Sequence, residues 1–235
     1  MPRAGSGWYY NLTNDLVVAA GYQDGRQIRK KYHLERILTE VNCNIGALTT
    51  KRLIPVLIPS LMGNTFVIKA HAGPNDFAKR LIKSKHMLST YIYRDPRDAM
   101  LSAYEYGQRA LQKGRPNAFS DLTDFNKSLT FIQEYVQIWE KWVACEGVLL
   151  TRYEDLINNY EQEVEKLIVF LGFNAADSSL LTVLENNHPG RARSDQKGSH
   201  FSKGTSGRFR EAYSNTEQEI LKQNIGRYIE VMGYE

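Results

Sequence analysis

The sequence predicts an α/β fold with a mostly parallel sheet, because short apolar segments alternate with helical patterns along the chain. Three segments rich in β-branched and aromatic residues are predicted as strands: residues 65–69, 88–93 and 148–151. Stretches with helical spacing of apolar residues are predicted at 8–20, 75–84, 125–146, 160–171, 178–186 and 216–232.

Length, charge and cysteine content narrow the class of protein. The 235 residues suit one domain, 1–235, with a substantial core. A net charge of +4 suits anionic small molecules and does not require nucleic acid as a partner. Two cysteines are too few for a disulfide framework, which favours a reducing, cytoplasmic compartment. We see no secretory signal and no apolar run long enough to span a membrane.

Three further segments have weaker local signals. Residues 22–52 are charged, and we expect a helix there around 34–41. Residues 53–61 contain Pro55 and Pro59 and are predicted as an irregular connection. Residues 111–124 are polar and are predicted as a loop.

The segment PRAGSGW, residues 2–8, precedes the first predicted helix. Gly5 and Gly7 allow the backbone to approach a ligand closely, and Arg3 adds a positive charge. A glycine-rich turn that opens a helix is typical of a phosphate site. Such a turn normally follows a strand, so we expect a first strand before Met1 that is missing from this sequence. The alternative is a flexible, glycine-containing terminus.

Residues 87–106, MLSTYIYRDPRDAMLSAYEY, combine a predicted strand with a helix that a proline opens. Arg94 follows the strand at the edge where open α/β sheets bind ligands, and Ser102 lies two turns into the helix. A guanidinium and a hydroxyl beside a helix start favour an anion, most naturally phosphate. The alternative is that Arg94 is a structural ion-pair partner of Asp95 or Asp98.

Two other segments carry candidate chemistry. Lys69 and His71 lie at the end of the strand predicted at 65–69 and just past it, where a histidine can act as a general base. The alternative is a solvated or capping histidine. Residues 187–210 are basic and rich in glycine, which favours an anion clamp or lid, with a solvated surface loop as the alternative.

Together these motifs resemble those of the sulfotransferase family, which uses 3′-phosphoadenosine 5′-phosphosulfate (PAPS). Five segments stand in the family's order: PRAGSGW, FVIKAHAGP, YRDPRDAMLSAY, TRYEDL and FSKGTSGRF. The resemblance implies a P-loop-NTPase-like fold, a three-layer sandwich with a central, mostly parallel sheet and helices on both faces. It also implies transfer of a sulfuryl group from PAPS, with adenosine 3′,5′-bisphosphate (PAP) as the product and no required metal.

The resemblance implies a set of nucleotide-binding residues: Arg3, Ala4, Gly5, Ser6, Gly7, Trp8, Arg94, Ser102, Tyr153, Phe201, Ser202, Lys203 and Gly204. Arg3 would contact the 5′-phosphosulfate and help the leaving group, residues 5–7 would bind the same phosphate, and Trp8 would stack on adenine. Tyr153 would lie near the adenine.

At the other end of the nucleotide, the resemblance implies that Arg94 and Ser102 hold the 3′-phosphate. Lys203 and Gly204 would close over it, with Phe201 nearby. Ser202 stands where the family usually has arginine, so one contact would be lost or moved to Arg191, Arg193 or Arg208.

The implied reaction is an in-line displacement with His71 as general base. Lys69 would contact a sulfuryl oxygen, and Arg3 would neutralise the leaving phosphate without donating its proton readily. The acceptor stays open among small-molecule and carbohydrate hydroxyls, a peptide hydroxyl and an amine. The oligomeric state stays open as well.

Three rival classes of protein share some of these features. A kinase or nucleotide hydrolase would need a lysine and a hydroxyl for magnesium in the phosphate loop, and PRAGSGW has neither at the right place. A nucleic-acid binder would need aromatic residues among the basic ones, and residues 187–210 offer only Phe201 and Phe209. An inactive or truncated relative that binds nucleotide without turnover remains the alternative.

Overall fold

This computed structural model describes residues 1–189 and 206–235, and the elements given below lie within those ranges. Its strands are β1 (Ser89–Tyr93) and β2 (Val148–Arg152). Its helices are α1 (Ser6–Ala19), α2 (Gly25–Lys31), α3 (Thr50–Leu61), α4 (Asp76–Lys83), α5 (Pro96–Gln112), α6 (Phe125–Val143), α7 (Tyr153–Asn158), α8 (Tyr160–Phe170), α9 (Ser178–Asn187), α10 (Phe209–Ala212) and α11 (Asn215–Val231).

Two of the three predicted strands are found and are neighbours in one sheet, since β1 pairs with β2. The strand predicted at 65–69 is wrong. Lys69 makes a single parallel bridge with Asn44, in which Ile45 N donates to Lys69 O at 2.8 Å. A β-rich sequence forms a strand only where a neighbour presents a row of partners, and here the pairing does not extend beyond the bridge among the described residues.

The prediction of an irregular connection at 53–61 is also wrong. The segment lies within α3, which contains both prolines. Leu53 and Val56 are buried on one face of this helix, at 1% and 5% exposure. The burial of that face outweighs the backbone hydrogen bonds that proline removes.

The helix predicted around 34–41 is wrong too, and the nearest helix is α2. Leu38 N donates to Leu34 O at 2.8 Å, so one helical turn forms. Arg29 Nε then donates to Leu38 O at 2.7 Å. Because that carbonyl is taken by a side chain, the turn has a competing partner at the point where a helix would continue.

The described structure divides into two compact units that alternate along the chain. The first unit contains Met1–Ala4, Tyr93–Glu140 and the described residues of Thr205–Glu235. The second contains Gly5–Ile92 and the described residues of Lys141–Gly204. The interpretation of residues 1–235 as a single domain stays a prediction.

The core of the second unit is built around α1. It consists of buried side chains from α1, β1, α7, α8 and α9: Trp8, Tyr9, Leu12, Leu16, Ile92, Tyr153, Leu156, Tyr160, Val164, Leu167, Ile168 and Leu180. Tyr9 Oη is hydrogen-bonded to Thr151 Oγ1 of β2 at 2.9 Å. This contact ties the first turns of α1 to the end of a strand.

The first unit packs α5, most of α6, α10 and α11. Ala99, Met100 and Ala103 of α5 are fully buried. Polar contacts join α6 to α11: Arg227 Nη2 and Tyr228 Oη donate to the Glu140 carboxylate at 3.0 and 3.3 Å, and Gln133 Nε2 donates to Asn224 Oδ1 at 3.1 Å. A capping box between Ser214 and Glu217 opens α11, within one residue of the predicted start.

Candidate functional site

The N-terminus of α1 is where the sequence predicts a phosphate site in the second unit. Gly5 is the N-cap residue, with φ of +73°, in the left-handed region. A Cβ at this position would lie 2.7 Å from Cε2 of Tyr153. Both the conformation and the space therefore require glycine.

The first turn of α1 presents backbone N–H groups rather than side-chain caps. Among the described residues no side chain caps this helix, and its first turn contains no acidic residue. The first N–H groups of a helix have no partner within the helix, and they carry the positive end of its dipole. Backbone N–H groups in this position can bind an anion, and binding of the 5′-phosphate by residues 5–7 stays a prediction.

Trp8 lies in the core of the second unit, with 2% of its surface exposed. Its indole Nε1 donates to Asn187 O at 2.9 Å, and its ring stacks on Tyr160 with centroids 6.1 Å apart. Tyr153 is also buried, against Gly5. The sequence did not indicate this packing of Trp8, and its stacking on adenine stays a prediction.

Arg94 and Ser102 both belong to the first unit and are buried, at 7% and 4% exposure. Arg94 Nη2 lies 3.5 Å from Asp98 Oδ2, an ion pair one helical turn apart. The other partner considered, Asp95, is paired with Arg97 at 2.8 Å. The ion pair with Asp98 is therefore present, and binding of the 3′-phosphate by Arg94 stays a prediction.

Arg3 lies beside Ser102 in the first unit, where Arg3 Nε donates to Ser102 Oγ at 3.1 Å. Its guanidinium also lies over the ring of Tyr106, 4.4 Å from the centroid. The backbone of Arg3 has φ of +61°, which a non-glycine residue adopts at some cost. The hydroxyl that accepts from Arg3 keeps its own hydrogen for a further acceptor.

Lys69 and His71 lie in the second unit, where Lys69 forms the bridge to Asn44 and His71 follows two residues later. Burial, and then the ammonium of Lys69, lowers the pKa of His71 to about 2. The imidazole is therefore neutral at pH 7. Its Nδ1 is buried and has no hydrogen-bond partner among the residues that the structure describes.

Trp142 holds the backbone next to His71, a role that the sequence did not reveal. Its Nε1 donates to Ala72 O at 3.1 Å. Its ring stacks on Tyr91 of β1, with centroids 5.7 Å apart. The amphipathic spacing of α6 predicted Trp142 only as one of several core residues. The sequence carried no signal that distinguished it from the other apolar residues of this helix.

Several predicted residues lie outside the described residues: Arg191, Arg193, Phe201, Ser202, Lys203 and Gly204. Arg208, named as a replacement for the missing arginine, forms an ion pair with Glu105. Within residues 1–189 and 206–235, no group of three or more His, Cys, Asp or Glu side chains is placed to hold a metal ion.

The features described so far do not by themselves identify a protein family, and a comparison with protein families does. The profile of the sulfotransferase domain matches residues 1–228. The chain belongs to the sulfotransferase family.

Individual sulfotransferases are similar to the chain at low identity. A 3-alpha-hydroxysteroid sulfotransferase of Cavia porcellus is 30% identical over 110 residues, which cover 45% of this chain and only 38% of that relative. A solved structure of retinol dehydratase with androsterone and the inactive cofactor PAP matches 97% of this chain and 78% of its own, with a TM-score of 0.58 and 15% identity. The structure of mouse sulfotransferase SULT7A1 complexed with PAP matches 69% of this chain and 65% of its own chain, with a TM-score of 0.52 and 16% identity.

These structural matches confirm the predicted fold class, the α/β fold of the sulfotransferases. The resemblance drawn from five sequence motifs is likewise confirmed at the level of the family. In the part of the chain that the structure describes, no helix is long and apolar enough to cross a membrane.

Proposed function

We propose that this protein transfers a sulfuryl group from PAPS to a hydroxyl group of an acceptor, with His71 as the general base. PAPS supplies the sulfuryl group and leaves as PAP. The acceptor belongs to the small-molecule or carbohydrate hydroxyls. Two solved structures that match the fold are complexes with PAP, which supports the choice of nucleotide.

The geometry at Gly5 carries the proposal. A glycine in the left-handed conformation opens α1, the ring of Tyr153 fills the space of a side chain, and no acidic residue stands in the first turn. The backbone N–H groups of Ser6 and Gly7 would hold the 5′ end of the nucleotide. Arg94 and Ser102 would hold its 3′-phosphate as a guanidinium and a hydroxyl donor.

The neutral state of His71 supports its role as a base. An acceptor hydroxyl is a poor nucleophile at neutral pH, and a well-placed base contributes roughly 10²–10⁴-fold to the rate. Only the unprotonated imidazole accepts that proton. Burial and the charge of Lys69 keep His71 in this form, while the ammonium of Lys69 would contact a sulfuryl oxygen.

A nucleotide-binding protein without turnover is the second candidate, and the same environment of His71 favours it. A pKa of about 2 makes the free imidazole a weak base. The histidine works as a base only if the negative charge of the bound nucleotide offsets the burial and the effect of Lys69.

The decisive experiment combines binding and turnover in one preparation. Calorimetric titration with PAP, without magnesium, is expected to give a micromolar Kd, which corresponds to a binding free energy on the order of −8 kcal/mol. Arg94→Ala is expected to weaken this binding strongly, because the 3′-phosphate loses its guanidinium. Incubation with PAPS and a panel of simple phenols, alcohols and sugars then measures the release of PAP.

The outcomes separate the candidates. Acceptor-dependent release of PAP that His71→Ala abolishes, with PAP affinity retained, supports the transferase. Tight PAP binding with no release over the whole acceptor panel supports the binding protein. A folded wild-type protein that does not bind PAP contradicts both.

A further inference from the structure

Asp98 is the most deeply buried carboxylate beside the proposed 3′-phosphate site, with 1% of its surface exposed. Three groups of the first unit converge on it. Oδ1 accepts from the backbone N–H of Phe209 at 3.1 Å, and Oδ2 accepts from the backbone N–H of Gly207 at 2.5 Å. Oδ2 also lies 3.5 Å from Arg94 Nη2.

Such a carboxylate is held in place rather than solvated. A buried charge is costly unless hydrogen bonds and an opposite charge compensate it, and Asp98 has both. One oxygen faces both Gly207 and Arg94, so the position of the backbone and the position of the guanidinium depend on the same atom. A shift of the Asp98 carboxylate would therefore move Arg94.

The two elements that meet at Asp98 are each locally rigid. Asp98 lies in the first turn of α5, where Asp95 accepts from the backbone N–H of Arg97 and Pro96 fixes the first φ angle. Gly207 has φ of +79°, and a Cβ there would lie 2.9 Å from Arg210 Nη1. Any residue other than glycine would be strained at position 207. The conformation of Gly207 therefore fixes the direction of the backbone N–H that donates to Asp98.

The two residues that follow Gly207 strengthen the same junction. The guanidinium of Arg97 lies over the ring of Phe209, 3.9 Å from its centroid. Glu105, two turns further along α5, forms an ion pair with Arg208. Three consecutive residues, 207–209, are thus fixed to α5 by separate contacts.

We propose that Asp98 is a positioning residue for the nucleotide. It aligns the guanidinium of Arg94 for the 3′-phosphate and couples that alignment to the backbone of Gly207 and Phe209. Asp98 does not contact the nucleotide itself, since its oxygens face the arginine and the two N–H groups. This inference rests on the proposed function, because it assigns Arg94 to the 3′-phosphate.

The test compares two nucleotides that differ only in the 3′-phosphate: PAP and adenosine 5′-phosphate. Their Kd values are measured by calorimetry for the wild type, Asp98→Asn and Asp98→Glu. Asparagine keeps the shape and one acceptor, and glutamate keeps the charge but moves it by one methylene. Both variants are expected to lower the preference for PAP, Asp98→Asn by about tenfold or more, with little change in the affinity for adenosine 5′-phosphate.

Asp95→Asn is the matched control. Asp95 is a second buried aspartate at the start of the same helix, at 5% exposure, and it forms an ion pair with Arg97. Asp95→Asn keeps an acceptor for the cap of α5 but removes the buried charge that pairs with Arg97. Thermal unfolding of both asparagine variants therefore measures the purely structural effect. We expect Asp95→Asn to lower the unfolding temperature while it keeps the wild-type preference for PAP.

Other results overturn the inference. If folded Asp98→Asn or Asp98→Glu keeps or increases the wild-type preference for PAP, Asp98 does not position Arg94. If Asp95→Asn loses the preference to the same extent, the effect is structural. A wild type without any preference for PAP contradicts the proposed function and, with it, this inference.

Discussion

His71 keeps its imidazole neutral because burial removes the water that would solvate a charged ring. The folded protein holds the pKa of His71 near 2, whereas an unfolded chain leaves a histidine near 6.5. Below pH 6.5 the unfolded state therefore takes up a proton that the folded state does not. The free energy of unfolding then falls as the pH drops.

This difference predicts the pH dependence of stability. His71→Gln removes the titrating group, so the stability of the wild type relative to the variant is expected to fall by about 2 kcal/mol between pH 7.5 and pH 5. Urea unfolding of both proteins at each pH measures the difference. If the free energies of unfolding of the two proteins change equally with pH, His71 is solvated in the folded state.

At the same scale, the sequence predicted residues from local patterns but not their distant contacts. Arg94 and Ser102 were predicted from a strand end, a proline and their spacing, all of which are local. The role of Asp98 depends on N–H groups of Gly207 and Phe209, more than a hundred residues away. The sequence offered Asp95 or Asp98 as an ion-pair partner of Arg94, but it could not indicate the two N–H groups that bind Asp98.

At the scale of elements, helix α1 depends on how it begins. Gly5 combines a left-handed conformation with close contact to the ring of Tyr153. Gly21, after the end of the helix, has φ of +90°, but a Cβ added there would have nothing within 4 Å. The two glycines therefore separate the effect of conformation from the effect of crowding.

We predict that Gly5→Ala destabilises the protein more than Gly21→Ala. The left-handed conformation costs each alanine roughly 1–2 kcal/mol, and only the alanine at position 5 must also displace Tyr153. Denaturant unfolding measures the difference, and titration with PAP measures the consequence for the phosphate site.

Gly21→Ala is expected to keep wild-type PAP affinity, and Gly5→Ala to lose it at least in part. Equal destabilisation by the two substitutions would show that the ring of Tyr153 moves away from a Cβ at position 5 at little cost in free energy. Unchanged PAP affinity in Gly5→Ala would remove the start of α1 from the nucleotide site.

The elements that the sequence predicted correctly have strong local signals. β1 and β2 are short, β-branched segments, and α4, α6, α8, α9 and α11 follow helical spacing with caps or glycine at their ends. The errors come from tertiary contacts. Arg29 captures the carbonyl of Leu38, α3 tolerates two prolines to bury one face, and residues 65–69 have one bridge rather than a neighbouring strand.

At the scale of the whole molecule, the proposed function predicts a stabilising ligand. A ligand that binds only the folded state at 100 times its Kd adds about 2.7 kcal/mol to the free energy of unfolding. For a chain of 235 residues this corresponds to a rise in Tm of roughly 5–11 °C. Thermal unfolding with and without PAP measures it.

The matched variant is Arg94→Ala at the same PAP concentration, for which most of the shift is expected to disappear. An equal shift in wild type and variant would show that PAP stabilises the protein without using Arg94. Adenosine 5′-phosphate at the same concentration gives the part of the shift that the 3′-phosphate does not contribute.

The division into two units is the feature that no local pattern could predict. Each unit combines stretches that are far apart in the sequence, and the chain passes between the units after Ala4, Ile92, Glu140 and Gly204. Composition and periodicity describe neighbours along the chain. They carry no information on which distant stretches come together.

The contacts of Asp98 also set an order of events during synthesis. Phe209 follows Asp98 by 111 residues, so a ribosome that adds 5–20 residues per second delivers it roughly 5–20 seconds later. During that interval the nascent chain already contains Arg94 and Asp98 but not the N–H groups of Gly207 and Phe209. The carboxylate lacks these two donors until then, so the proposed phosphate site of the first unit takes its final form only after residue 209 has been added.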